Sequence, residues 1–589
     1  MRRVQSLLIV VLISSPRSFG ATRTWNGSAS GSWNAAANWT PSGVPAAGDD
    51  LVFPSAGTNK SMTNDIPAPA PLLATLTFSG SGYTASGSPI SLLGGVSVTY
   101  AFGTTALAFD IAVSSATFTV SSSFASLTLS GNVNVMSTLT AAGAGTQTYS
   151  GIVSGPGGLS MQAGNPHVTL SGANTYGGNT FVGSGTLTIQ SGGRLGATSA
   201  GTTLAGGTLA LSGGMAAGVN SSEPLTVSAS STLTSAGGGF GYNELFGPIA
   251  LDATLIVDVT SGVLTMGGDM SGLAGLDITT PGSGGALFLS GNNSFMGLVT
   301  FSGTVGLLTS SALGNGPGAN CSAANGTLGV SGGIAVGNAL DLGNAGCTLD
   351  NFGGDNVWNG PIKTPLNTLS PIRVASTTSL TINGAITGSG FTKIGPGRLF
   401  VTSDNPVAAG NLQDGTTLTS QRLDTATLSA GATLGGSGTF NEIDASSGGT
   451  VAPGYGLAPG TIAVGTLTLG PAATLALLIG GPGSYSSVAA SVAVSLGGAV
   501  LAETLGVPPL VGASLDIVSN GAMSPTAGTF AGLLEGAYLR LGNTELRISY
   551  AAGPGGNDVV LTVVAPPAAT IAAGGPSSFC PPGSVMLTA

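Results

Sequence analysis

The chain has 589 residues, 100 of them glycine, and only 6% are Asp, Glu, Lys or Arg. Its net charge of −10, with 13 basic residues in all, argues against a nucleic-acid binder and against docking on anionic membrane surfaces. Lys, Arg and Glu are too scarce for long solvated helices. Disorder fits no better, because 42% of the residues are hydrophobic and recur with a period of two.

Residues 1–20 have the form of a cleavable export signal. Arg2 and Arg3 supply the basic start, and Leu7 to Ile13 form an apolar core too short to span a bilayer as a helix. Ser18-Phe19-Gly20 is a small-x-small cleavage site, with cleavage expected after Gly20. No later stretch is long and continuous enough to cross a membrane as a helix. The mature chain is therefore expected to be exported, where disulfides persist.

Residues 21–150 open with Thr24-Trp25-Asn26-Gly27, Ser32-Trp33 and Asn38-Trp39, then Gly48-Asp49-Asp50-Leu51-Val52-Phe53. Three of the four tryptophans fall at positions 25, 33 and 39. Bulky rings at the start of a stacked fold are expected to seal its open end. The alternative is a glycan platform formed by Trp25, Trp33 and Trp39, which requires the rings to be exposed on one side.

An internal repeat follows. GTLALSGGMAAG at 207–218 returns as GTLGVSGGIAVG at 326–337, with eight of twelve positions identical. Gly151-Ile-Val-Ser-Gly155 recurs at Gly268–Gly272 and Gly384–Gly388, and LSGANTY at 170–176 recurs as LSGNNSF at 289–295. Arg194-Leu195-Gly196 is echoed by Ala312-Leu313-Gly314. Ordered matches at one offset define repeat units at 151–267 and 268–383, and a decayed third at 384–464. Runs such as Gly185-Thr-Leu-Thr-Ile189, Ala253–Val259 and Ser379-Leu-Thr-Ile-Asn383 read as half-buried strands between turns, so each unit is a stack of short strands.

Few groups carry chemistry. Cys321 and Cys347, 26 residues apart, are spaced for adjacent coils, and either a disulfide or two buried thiols fits; Cys580 has no evident partner. Three cysteines and one histidine make no credible zinc site. His167, after Pro166 at a strand entry, reads as exposed rather than as a general base. Gly553-Pro-Gly-Gly-Asn-Asp558 is a single imperfect copy of a calcium nonapeptide, and calcium is not expected there. The one region with both charges is Asp341, Asp350, Asp355, Lys363 and Arg373, which would have to converge to serve a polysaccharide lyase or hydrolase. The first copy has Glu244, Asp252 and Asp258 with no base, and Asp252 and Asp258 are expected on one strand. No catalytic residue, metal site or cofactor is expected.

The tryptophan-rich opening, Gly151-Ile-Val-Ser-Gly-Pro-Gly-Gly-Leu159 and Leu170–Thr180 resemble the bacterial autotransporter-associated β-strand repeat (passenger-associated transport repeat) proteins. So do Gly449-Thr-Val-Ala-Pro-Gly454, Pro459-Gly-Thr461, Gly528-Thr-Phe530, Ile548-Ser-Tyr550 and Gly556–Leu561. The resemblance covers about 24–564. It implies an all-β chain, a parallel β-helix (β-solenoid) with a Trp-rich N-terminal cap and a β-rich C-terminal cap at 465–564. It also implies a cell-surface or envelope scaffold, associated with the outer membrane, in adhesion or surface display, with surface glycans or other envelope proteins as partners. The alternative is a polysaccharide-binding or polysaccharide-degrading β-helix. Residues 565–589 resemble a linker and the first strand of an Ig-like module, so the chain is expected to be truncated at Ala589, with a partner of Cys580 lost.

Overall fold

The computed structural model describes residues 20–589 apart from 191, 214–219, 238–241, 281–283, 457, 482, 566–571, 576–577, 579–583, 585 and 589. The leader up to residue 19 and Cys580 lie outside the described residues. Among the described residues there is no α-helix, only one 3-10 turn at Ala36–Asn38. Two compact units are present: Met1–Gly306 with Ser311–Gly318, and Leu307–Ser310 with Ala319–Ala589. Their division falls inside 268–383, the stretch assigned to the second repeat copy.

Each unit is a parallel β-solenoid. In the first, Gly103–Leu107, Ala125–Leu129, Thr146–Tyr149, His167–Leu170, Thr186–Gln190 and Thr208–Gly213 pair in succession, all parallel. Coils advance in steps of about 20 residues, since side-chain bonds between adjacent coils join positions 19 to 24 apart. The period of two decides which residues face inward. In Thr186–Gln190, Leu187 and Ile189 are buried while Thr186 and Thr188 face outward. Directly stacked in register are Leu127, Gln147, Val168, Leu187 and Leu209, all buried. Each buried Leu contributes about 1.5–3 kcal/mol of apolar burial. Gln147 is tolerated in that column because its amide donates to Phe118 O and Ala142 O and its oxygen accepts from the Tyr149 hydroxyl.

The second unit repeats this plan and ends differently. Strand Ser487–Ser495 pairs in parallel with Ser514–Asn520, which then pairs antiparallel with Asp558–Val564. Thr544–Ala552 and Tyr538–Leu541 complete this antiparallel sheet. The C-terminal motifs meet here. Phe530 N donates to the Tyr550 hydroxyl, which donates to Leu533 O, and Asn520 N donates to the Asp558 carboxylate at 2.7 Å. Asp558 thus accepts a backbone amide.

One buried asparagine per repeat explains why the motifs recur together. The Asn174 side chain accepts from Val153 N at 2.8 Å and donates to Arg194 O at 3.0 Å. Asn293 accepts from Met270 N at 2.9 Å and donates to Ala312 O at 2.7 Å. Val153 and Met270 are the third residues of GIVSG and GDMSG; Arg194 and Ala312 open the two Arg/Ala-Leu-Gly motifs. Three separate motifs are therefore joined by one side chain. The adjacent aromatic also repeats. Tyr176 bonds Thr180 through their hydroxyls at 2.6 Å, and the second copy has Phe295 and Val299 at these positions, so the polar pair is replaced as a pair. Gly196 and Gly314 have φ of +104° and +66° and lie against these rings; a Cβ on Gly196 would come within 2.7 Å of Tyr176.

Asn174→Ala leaves the buried Val153 N–H unpaired and removes the donor to the Arg194 carbonyl. It should lower the stability of the first unit by about 2–4 kcal/mol, read from urea unfolding by far-UV circular dichroism.

Candidate binding surface

The three N-terminal tryptophans do not form a glycan platform. Trp25, Trp33 and Trp39 are 0–1% exposed, packed edge-to-face with centroids 5.0 Å (Trp25–Trp39) and 6.1 Å (Trp33–Trp39) apart. Trp33 stacks on Phe53, which stacks on Phe78 at 4.6 Å. The Trp25 indole donates to Asn59 O and that of Trp39 to Trp33 O. These rings cover the apolar edge of the first described coil.

Cys321 and Cys347 are joined in a disulfide with Cα atoms 6.4 Å apart, both fully buried. Cys321 ends the strand Gly318–Cys321 and Cys347 precedes Thr348–Gly353, so the bridge closes a loop. The charged residues of this region do not converge. Asp341 and Lys363 are directly opposite in one ladder and 2.9 Å apart. Asp350 and Arg373 are opposite in a second ladder at 3.4 Å. Asp355 lies in a third, where it accepts from Ser379 N and Oγ. Adjacent coils place opposite charges side by side along two of these faces, and three ladders separate the three carboxylates. In the first copy, Asp252 sits in a bend and the strand begins only at Leu255, so Asp252 and Asp258 do not share a strand as the sequence led us to expect. His167 is exposed at the first position of its strand.

Two buried ionisable groups, Glu223 and Lys393, are hydrogen-bonded within the fold. Burial pushes the Glu223 carboxyl up to about 7, opposed by the Thr202 hydroxyl that donates to it at 2.9 Å. Burial lowers the Lys393 ammonium to about 8, opposed by the Asp414 charge; Lys393 donates to the carbonyls of Ile394, Gly395 and Asp414. Among the described residues, no three of His, Cys, Asp and Glu are grouped to hold a metal ion.

A concavity lies on one sheet of the second unit. Its strands Asp355–Trp358, Ser379–Ile382, Arg398–Val401, Gly415–Thr419, Ala432–Gly436 and Gly449–Tyr455 pair in parallel. Register places Asp355, Ser379, Arg398, Thr416, Thr433 and Thr450 in one column, a side chain every ~4.8 Å. The hairpin of Gly454 and Pro459, built by the Val-Ala-Pro-Gly and Pro-Gly-Thr motifs, stands beside this column as a wall. Clefts of about 490 and 560 Å³ share Arg398, and a third of about 310 Å³ adjoins them through Phe400 and Leu418. The sequence analysis missed this groove, since only the alternation Arg-Leu-Phe-Val, Thr-Thr-Leu-Thr, Ala-Thr-Leu-Gly hinted at it. It also missed Phe102 and Phe124 of the first unit, two exposed rings stacked at 5.5 Å on adjacent coils.

The chain is similar to the adhesin BmaC autotransporter of Brucella suis biovar 1 (strain 1330), 29% identical over 309 residues. That alignment covers 49% of this chain and 7% of the relative, so the chain spans a small part of that protein's length. No family model matches. Among solved structures, the Haemophilus influenzae Hap adhesin aligns over 87% of this chain and 64% of its own at 13% identity, with a TM-score of 0.27.

Two outcomes follow from these geometries. Cys347→Ser should cost about 3 kcal/mol, the loop entropy a bridge of this span removes from the unfolded chain, read as a lower urea midpoint under oxidising conditions. Glu223 keeps its proton in the folded chain between pH 4.5 and about 7 while the unfolded chain loses it, so its contribution falls as pH rises through that window. Glu223→Gln should flatten that fall, measured as the change in urea midpoint between about pH 5 and about pH 7.5.

Proposed function

We propose that this chain is an exported, non-catalytic repeat protein of the bacterial surface or envelope, of the autotransporter-associated β-strand repeat type, and that it serves adhesion or surface display. The observation that carries this reading is the similarity to an adhesin autotransporter over 309 residues. The arrangement of charges supports it. The carboxylates Asp341 and Asp350 are held in separate ladder pairs and Asp355 lies in a third ladder, while Glu223 and Lys393 are hydrogen-bonded within the fold. What the solenoid offers to other molecules is its outward surface of Thr, Ser and Asn, the usual use of a repeat architecture. The second reading, a polysaccharide-binding solenoid, is favoured by the groove beside Arg398. Surface glycans or other envelope proteins are the partners in either case.

The test is surface labelling of intact cells followed by protease shaving. Labelling and release of fragments of this chain are expected. A chain that stays unlabelled and intact until the cells are lysed contradicts the reading.

A further inference from the structure

The groove on the second unit holds a cation that the fold does not use. Arg398 is exposed, and its guanidinium has no hydrogen-bond or ion-pair partner among the described residues. Its neighbours in the column, Ser379 and Thr416, are neutral hydroxyls. Two coils away, Asp355 commits one oxygen to Ser379 N and Oγ, and its other oxygen has no partner among the described residues. Asp355 and Arg398 line the same cleft of about 490 Å³. At that cleft Thr377 has φ of +63°, a left-handed conformation that a β-branched residue adopts only against strain. Such strain marks a position held by its surroundings and recurs at ligand sites. Phe400 and Leu418 add an apolar strip next to the hydroxyl column.

We infer that this groove binds an acidic polysaccharide, with a sugar carboxylate on Arg398 and a hydroxyl of a nearby sugar on Asp355. This rests on the polysaccharide-binding form of the function proposed above. A planar guanidinium pairs with a carboxylate through two parallel hydrogen bonds, which a Lys cannot reproduce. An acceptor carboxylate and a donor cation two coils apart, ~9.6 Å along the axis, suit a ligand that carries both an anion and hydroxyls at regular intervals. A polyphosphate carries no sugar hydroxyls to donate to Asp355. A peptide strand is disfavoured as well, because it adds to a sheet through free backbone groups at an edge, and the groove lies on a face whose backbone groups are paired along the ladder. Ring C–H faces of a sugar suit Phe400 and Leu418.

The test measures binding of the purified full chain to oligogalacturonate, alginate oligomers and hyaluronan oligomers by calorimetry, with the methyl ester of oligogalacturonate as the uncharged control. At least one acidic oligomer should bind. Loss of its charge and Arg398→Gln should each weaken binding at least about tenfold, the size of a lost charge-assisted pair. Arg398→Lys should recover only part of the loss, and Asp355→Asn should weaken binding several-fold. Thermal unfolding of each variant, expected to match the native chain, verifies folding. Failure of all three acidic probes to bind, equal binding of the ester, or native affinity in a folded Arg398→Gln chain would overturn the inference. Cell adhesion separates the two readings. Adhesion that depends on this chain and survives Arg398→Gln unchanged removes the groove's role and leaves the surface reading standing. Absence of the chain from the surface removes that reading, while binding by the purified chain still judges the groove.

Discussion

A solenoid coil must turn sharply several times without leaving its turn amides and carbonyls buried and unpaired, and the repeat answers this with a buried asparagine. An amide side chain carries both a donor and an acceptor, so it can accept from one backbone N–H and donate to a backbone carbonyl elsewhere. Asn174 and Asn293 do this between coils, joining a residue before them to one after them. Val153 and Met270 are held twice, since their own carbonyls also accept from Thr175 and Ser294. The third copy keeps half of the arrangement. Asn405 accepts from Ile386 N at 2.6 Å but donates to Ser403 beside it, not to the next coil. Its flanking sequence is correspondingly free to drift.

The remaining composition follows from stacking. Inward positions take Leu, Val and Ile because each coil buries its apolar side only against its neighbours. Outward positions take Thr and Ser, which suit an extended backbone and stay hydrated without charge. Charges that do occur are arranged along the ladder, as with Asp341 beside Lys363 and Asp350 beside Arg373. The exposed Asp341–Lys363 pair contributes little stability. In the first unit Trp25, Trp33 and Trp39 cover the first described coil with ring area. In the second, the antiparallel sheet of Ser514–Asn520, Asp558–Val564, Thr544–Ala552 and Tyr538–Leu541 follows the parallel coils.

Strands and period were legible in the sequence because both are local: Thr186–Gln190, Ser379–Ile382 and Leu255–Met266 lie within a residue or a few of where alternation placed them or extend beyond it. The motifs that recur were visible too, but not why they recur together, since Val153, Asn174 and Arg194 are joined only through space. The tryptophans were ambiguous because a cap and a platform call for the same rings, and only burial separates them. Asp252 was misplaced because a bend after Leu251 interrupts an otherwise continuous apolar alternation. The groove was invisible. Which residue of Arg398–Val401 lies beside which residue of Gly415–Thr419 depends on turn lengths between them, and a slip of one position would turn Arg398 and Thr416 to opposite faces.

The central claim is that the repeat is defined by asparagine-bridged coils. Native-state hydrogen exchange at single-residue resolution tests it most directly, at Val153, Met270 and Ile386. None of these three lies in a long strand, so ordinary turn behaviour would leave them fast to exchange. The account predicts protection at all three comparable to that of core strand amides such as Leu187 and Leu399. Exchange at the rate of exposed turns, with the core strands protected, would contradict it.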